Sequence, residues 1–204
     1  MDGIRANVAR IRDEIAAAAE SSGRTAEAIT LVAVSKTVEP IRIQAAIEAG
    51  IRHLGENRVQ EAQEKVPLIH GPVTWHMVGH LQRNKAGQAV ELFDMIQSVD
   101  SKRLAEALSR RALQADRIVD VLVEVNVGGE ASKIGISPEE TESLIEDIKD
   151  LPGISVRGLM TIPPYDPNPE KVRPYFRRMH ELFQHLKDKT PTPMVHLSMG
   201  MSSD

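Results

Sequence analysis

Thr30-Leu31-Val32-Ala33-Val34-Ser35-Lys36-Thr37 is a short apolar run that ends on a lysine. Branched side chains dominate it, which suits a buried strand better than a helix. Side chains alternate along a strand, so Val32, Val34 and Lys36 are expected on one face and Leu31, Ala33 and Ser35 on the other. In a closed parallel barrel, one face lines the interior and the other meets the surrounding helices. Lys36 would then stand at the carboxyl end of a barrel strand, where such barrels carry their chemistry. Partial desolvation there readies an amine for a Schiff base with an aldehyde. The plainer alternative is a lysine that ends a strand and reaches out to water.

Composition narrows the classes of function. The chain has 204 residues, enough for one domain that buries most of its unfolded surface. A net charge of −4, with acids and bases interspersed, speaks against a nucleic-acid footprint and against a basic membrane-surface helix. Aromatic residues are too few for a base-stacking surface. Cysteine is absent, which excludes disulfides, thiolate catalysis and a Cys-built zinc site. The N-terminus does not read as a secretory signal, and no apolar run approaches a membrane span, so a cytoplasmic protein is expected.

Working outward from the lysine, Ile4, Val8, Ile11 and Ile15 predict an opening helix that ends near Ser21-Ser22-Gly23. Pro40 begins a helix through Ile43 and Ile47, which Gly50 stops. Strands are expected over 51–57, 73–80, 94–98, 120–127, 155–162 and 194–198, with helices between them. Asp100-Ser101 reads as a cap, Ser137-Pro138-Glu139-Glu140 as a capping box with proline first in the helix, and Pro174 as a first-turn proline. Val121, Val123 and Val125 should meet the helices while Glu124 and Asn126 look into the upper interior. Strict alternation implies parallel strands, in either an open doubly wound sheet or an eight-stranded barrel. Seven strands are legible, and Asp204 ends the chain where an eighth would begin.

Several residues could carry chemistry. His196-Leu197-Ser198-Met199-Gly200-Met201-Ser202-Ser203-Asp204 sets serines around a glycine directly after a strand. Barrels commonly hold a phosphate there, with hydroxyl donors and a glycine that admits the anion, although a frayed serine-glycine tail reads the same way. Asn57 and Met160 fall near strand ends, where packing or capping would also explain them. His76 and His80 have a spacing that suits metal ligation on a helix but not on a strand. Lys133 reads as a solvated charge of the 128–133 loop.

Taken together, Ala33-Val34-Ser35-Lys36, His53-Leu54-Gly55-Glu56-Asn57-Arg58-Val59-Gln60-Glu61, Trp75-His76-Met77-Val78-Gly79-His80-Leu81-Gln82-Arg83-Asn84-Lys85, Gly158-Leu159-Met160 and the 196–204 segment closely resemble the pyridoxal phosphate homeostasis proteins. These single-domain relatives of the alanine racemase barrel are also known as proline-synthetase co-transcribed proteins. The resemblance spans nearly the whole chain, with five motifs in order. It implies an α/β fold, a (β/α)8 TIM barrel of the alanine racemase N-terminal type in one domain over 1–204. It also implies that Lys36 holds pyridoxal 5′-phosphate as a Schiff base. Ser198, Gly200 and Ser202 would belong to the phosphate cup, Asn57 and Met160 would flank the ring, and Lys133 would be a secondary acceptor. Relatives continue into an eighth strand whose Arg-x-Gly segment faces the pyridine nitrogen and completes the cup. This chain lacks that strand and its helix, which suggests a truncated form with a looser grip on the phosphate.

The family is considered to buffer the cofactor and deliver it to apo-enzymes. Racemisation on such a barrel needs a proton donor on each face of the cofactor, and in the racemases a second domain supplies one. The only tyrosines here are Tyr165, in a proline-rich loop, and Tyr175, in a helix. A monomeric carrier in vitamin B6 homeostasis, with no strong catalytic activity and with apo-enzymes of this cofactor as partners, is therefore favoured. An amino-acid racemase is the alternative, and a Schiff-base aldolase acting on a sugar phosphate is a more distant one.

Overall fold

The computed structural model describes residues 2–130 and 133–202. The chain falls into two compact units, Met1–His76 and Met77–Asp204. In each, parallel strands alternate with helices, and strand order within the sheet follows chain order. Seven strands lie among the described residues, with a helix between each consecutive pair.

In the first unit, α1 (Asp2–Ser21) turns Ile4, Val8, Ile11, Ile15 and Ala19 inward, as its spacing predicts. Proline at the first position of α2 (Pro40–Glu48) supplies a preset φ, and Ile43, Ala45 and Ile47 form its buried face. Arg12 of α1 donates to the carbonyl of Ala49, the C-cap of α2, at 3.5 Å and to that of Gly50 just beyond it at 2.6 Å, tying α1 to the end of α2. β1 (Val32–Val34) pairs in parallel with β2 (His53–Glu56), Val32 against His53 and Val34 against Gly55. α3 (Val59–Lys65) follows β2 and buries Val59 and Ala62. The unit boundary falls inside β3 (Thr74–Met77), whose Thr74 N–H donates to the Arg52 carbonyl at 2.8 Å.

The second unit runs α4 (Ala86–Leu92), β4 (Met95–Val99), α5 (Lys102–Gln114), β5 (Val119–Glu124), α6 (Thr141–Ile148), β6 (Ile154–Met160), α7 (Pro169–Leu186) and β7 (His196–Ser198). Parallel pairing joins β4 to β5, β5 to β6 and β6 to β7. The alternation read in β5 holds. Val119, Val121, Val123 and Val125 are buried on one face, while Leu122 packs with Met95 and Met160 on the other. A strand buried on both faces is what a covered parallel sheet requires. Among the described residues, no helix is long and apolar enough to cross a membrane.

Three local expectations need correcting. Ser101 precedes α5 but makes no side-chain cap; its hydroxyl donates to Asp100 at 3.1 Å instead. The Ser137 hydroxyl accepts the Glu140 N–H as in a capping box, but the Glu140 carboxylate accepts from that hydroxyl rather than from the Ser137 N–H; the bonds close a turn and α6 begins only at Thr141, so Pro138 is not a helical residue. Pro169 holds the first helical position of α7, with Asn168 as its cap, which leaves Pro174 inside the helix rather than in its first turn.

Gly158 sits where β6 meets β7. A Cβ there would lie 1.8 Å from the His196 carbonyl oxygen, so only glycine lets the two backbones pair at this register. Gly158→Ala is expected to destabilise the protein by about 2–3 kcal/mol, because backbone rather than a flexible side chain must yield. A urea midpoint unchanged from the unaltered protein would contradict this packing.

Candidate functional site

β1 is shorter than the apolar run suggests. Its ladder ends with the Ser35 N–H donating to the Gly55 carbonyl at 2.8 Å, and the chain then turns, with the Val38 N–H returning to the Ser35 carbonyl at 3.0 Å. Lys36 is the second residue of this turn and is exposed, not the last strand residue on the Val32–Val34 face and not desolvated. Thr37, the third residue, has φ of 60°, a left-handed conformation unusual for a β-branched side chain.

Polar contacts explain why the strand stops there. The Lys65 ammonium, on α3, donates to the Ser35 carbonyl at 2.7 Å, to Glu56 at 2.9 Å and to Glu61 at 3.3 Å. Glu61 also accepts the Thr37 N–H at 3.0 Å, and that backbone bond is the main cause holding its carboxyl below the ordinary glutamate range. Ser35 donates its hydroxyl to Glu56 at 2.7 Å. Glu56 is fully buried and Lys65 only 8% exposed, so the pair is an internal ion pair rather than a surface one. Asn57 follows β2 directly and is half-buried. Lys36 and Asn57 each lie two residues past the paired Val34 and Gly55, so this unit brings both to the same end of neighbouring strands.

In the second unit, Met160 and Ser198 end β6 and β7 and are partners in register. Met160 is 3% exposed, closed in by Met95 and Leu122. The half-buried Ser198 donates its hydroxyl to Gln97 of β4 at 2.7 Å. Gly200 has φ of 95°, with no atom within 4 Å of where a Cβ would stand, and Ser202 lies in an exposed turn. Ser203 and Asp204 lie outside the described residues, as do Ala131 and Ser132 of the loop after β5.

That loop is held more firmly than its composition suggests. Asn126 donates its amide to the Glu130 carbonyl at 2.8 Å. Lys133 is not a solvated charge, since its ammonium donates to the Pro163 carbonyl at 2.8 Å and pairs with Glu130 at 3.0 Å. His76 lies within 3.0 Å of His53 ring to ring, and His80 lies 3.7 Å from the Asp100 carboxylate. Among the described residues, no group of three or more acidic or histidine side chains could hold a metal ion.

Glu124 ends β5 and points to the same side as Leu122, as the alternation predicts. It is 5% exposed, and one carboxyl oxygen has no hydrogen-bond partner. Burial first, and the neighbouring Asp100 charge second, push its pKa from the ordinary 4.5 to about 7. Between those values the folded chain holds a proton that the unfolded chain releases, so stability falls as pH rises through the window and levels off above it. The loss through this group should be on the order of 3 kcal/mol from about pH 4.5 to about pH 8. Glu124→Gln is expected to flatten that part of the profile, measured as unfolding free energy against pH, and a parallel profile would refute the assignment.

The family model for the alanine racemase N-terminal domain matches residues 2–204. The pyridoxal phosphate homeostasis protein of Aquifex aeolicus is 42% identical over 97% of this chain and 87% of its own length. The crystal structure of an unknown protein from Bifidobacterium adolescentis superposes with a TM-score of 0.90 at 37% identity, over 98% of this chain and 87% of that one. PipY of Synechococcus elongatus, in a structure with PLP bound, superposes with a TM-score of 0.80 at 35% identity, over 93% of this chain and 90% of that one. The α/β fold with parallel strands is therefore the one its motifs led us to expect, and the chain belongs to the pyridoxal phosphate homeostasis protein family, built on the alanine racemase N-terminal domain.

Proposed function

We propose that this chain is a pyridoxal 5′-phosphate-binding protein that buffers the cofactor and delivers it to apo-enzymes, acting in the cytoplasm as a single monomeric barrel domain over 1–204. The observation that carries the reading is the Lys36 turn: an exposed amine at the carboxyl end of β1, with both neighbouring peptide groups tied down. The name of the Aquifex relative and the PLP bound to PipY support it.

The residues present suit such a group. Lys36 offers the amine, and Asn57 lies beside it in register. Gly200 and Ser202 offer an open backbone and an exposed hydroxyl to a phosphate. Ser198 would exchange its neutral bond to Gln97 for a stronger, charge-assisted one. Met160, closed in by Met95 and Leu122, would support the ring's surroundings from the core rather than face it openly. Bound, the cofactor would supply an aldehyde, to whose carbon the Lys36 nitrogen adds with loss of water.

Weak catalysis fits the same residues. Tyr165 is 69% exposed in the loop after β6, and Tyr175 lies on α7, so neither tyrosine ends a strand in the second unit. Racemisation needs a proton donor on each side of the reacting carbon. An exposed lysine suits exchange instead, because a second amine must reach the same carbon to displace it.

Mass spectrometry after cofactor addition and borohydride reduction is expected to find one pyridoxyl group on Lys36 and none in Lys36→Ala. Labelling that survives Lys36→Ala would sink the reading. Racemisation of an added amino acid by the purified protein would favour the racemase alternative, and trapping of a sugar phosphate the aldolase.

A further inference from the structure

The peptide groups before and after Lys36 are held by one charged cluster. The carbonyl before it, that of Ser35, accepts from Lys65 at 2.7 Å. The N–H after it, that of Thr37, donates to Glu61 at 3.0 Å. Lys65 and Glu61 are themselves joined, and Glu56 closes the cluster through Lys65 and the Ser35 hydroxyl. The Lys36 carbonyl accepts the Thr37 hydroxyl at 2.6 Å, while among the described residues the Lys36 ammonium has no hydrogen bond or ion pair. The cluster thus fixes the main chain of a residue whose side chain it leaves alone.

We infer that Lys65 and Glu61 are positioning residues for Lys36, aiming its amine while keeping the neighbouring lysine from competing with it. The inference rests on the cofactor-binding reading above and adds the machinery behind it. An ammonium has three N–H donors, and those of Lys65 meet three acceptors, so it has no electron pair to offer an aldehyde. Of these two neighbouring lysines, Lys36 is the one exposed and able to reach an aldehyde. Thr37 supports a functional rather than a merely structural role. Its left-handed φ costs energy, and such strain persists where surrounding contacts over-determine it, often at working sites. The Glu61 bond to the Thr37 N–H holds it from outside the turn, beside the bond from the Thr37 hydroxyl to the Lys36 carbonyl at 2.6 Å.

A cluster that only stabilised the fold would lower the melting temperature when cut, while the remaining folded protein kept its affinity and its labelling site. A positioning cluster acts on both. Glu61→Ala, which removes the acceptor at the more exposed edge, is expected to raise the dissociation constant for pyridoxal 5′-phosphate about tenfold or more. It should also spread borohydride-trapped cofactor from Lys36 to other lysines. Glu61→Gln keeps an acceptor oxygen for Thr37 and should restore most of both. In cofactor-free protein, Glu61→Ala should speed hydrogen exchange at the Thr37 amide about tenfold or more, and Glu61→Gln should do so much less. Lys65→Met leaves Glu56 buried without its partner; should it fail to fold, Glu56→Gln with Lys65→Met removes both charges and is expected to reproduce the loss of affinity. Glu61→Ala with unaltered affinity and labelling confined to Lys36 overturns the inference alone. An unaltered protein that carries no cofactor on Lys36 overturns both it and the reading it rests on.

Discussion

A positive charge buried on Lys65 governs the shape of the chain around Lys36. Removing an ammonium from water is costly unless its donors find acceptors and its charge finds a counter-charge. Here Glu56 supplies the charge, Glu61 a second carboxylate, and the Ser35 carbonyl the third acceptor. That carbonyl accepts from Lys65 and from the Val38 N–H, β1 ends at Val34, and the next residues turn. The turn presents Lys36 to solvent, although the apolar run before it reads as a longer strand. An energetic requirement of one lysine therefore sets the position of another, through the main chain.

The second unit shows a layered version of the same economy. Met95, Leu122 and Met160 form an apolar floor contributed by three neighbouring strands. Two residues on from Met95 and Leu122 the side chains become polar, Gln97 on β4 and Glu124 on β5, and Ser198 on β7 stands level with Met160. Gln97 and Ser198 satisfy each other, whereas Glu124 has a carboxyl oxygen with no partner and meets the cost of burial by holding its proton to about pH 7. The close approach of β6 and β7 at Gly158 puts Ser198 level with Met160. A one-residue slip there would exchange every side chain between faces.

Under the proposed function, two precisely placed proton donors around one carbon are not required. What is required is an accessible amine that can capture an aldehyde and give it up again. Rigidity in the backbone and freedom in the side chain serve that combination, since fixing the main chain lowers the entropy lost on capture without blocking the approach of a second amine.

Much of this could be read from the residues alone. The order of strands and helices follows from apolar periodicity, because burial of one face imposes the spacing wherever the chain runs. The alternation of β5 already separated Leu122 and Glu124 from the valines, and the motifs around Lys36, Asn57 and Ser198 carried the family. Short-range choices were less legible. Ser101 and Pro138 have the right identities for helix starts, but neighbouring groups compete for the same bonds, and Pro174 fits inside α7 because Pro169 takes the first position. Glu61 and Lys65 are spaced as helical neighbours, which was a signal for an ion pair but not for what it would hold. Periodicity is a property of sequence because it depends only on how each residue meets the core. The end of β1, the burial of Lys65 and the ties on either side of Lys36 depend on contacts across twenty to thirty positions, which exist only once β1, β2 and α3 have packed together.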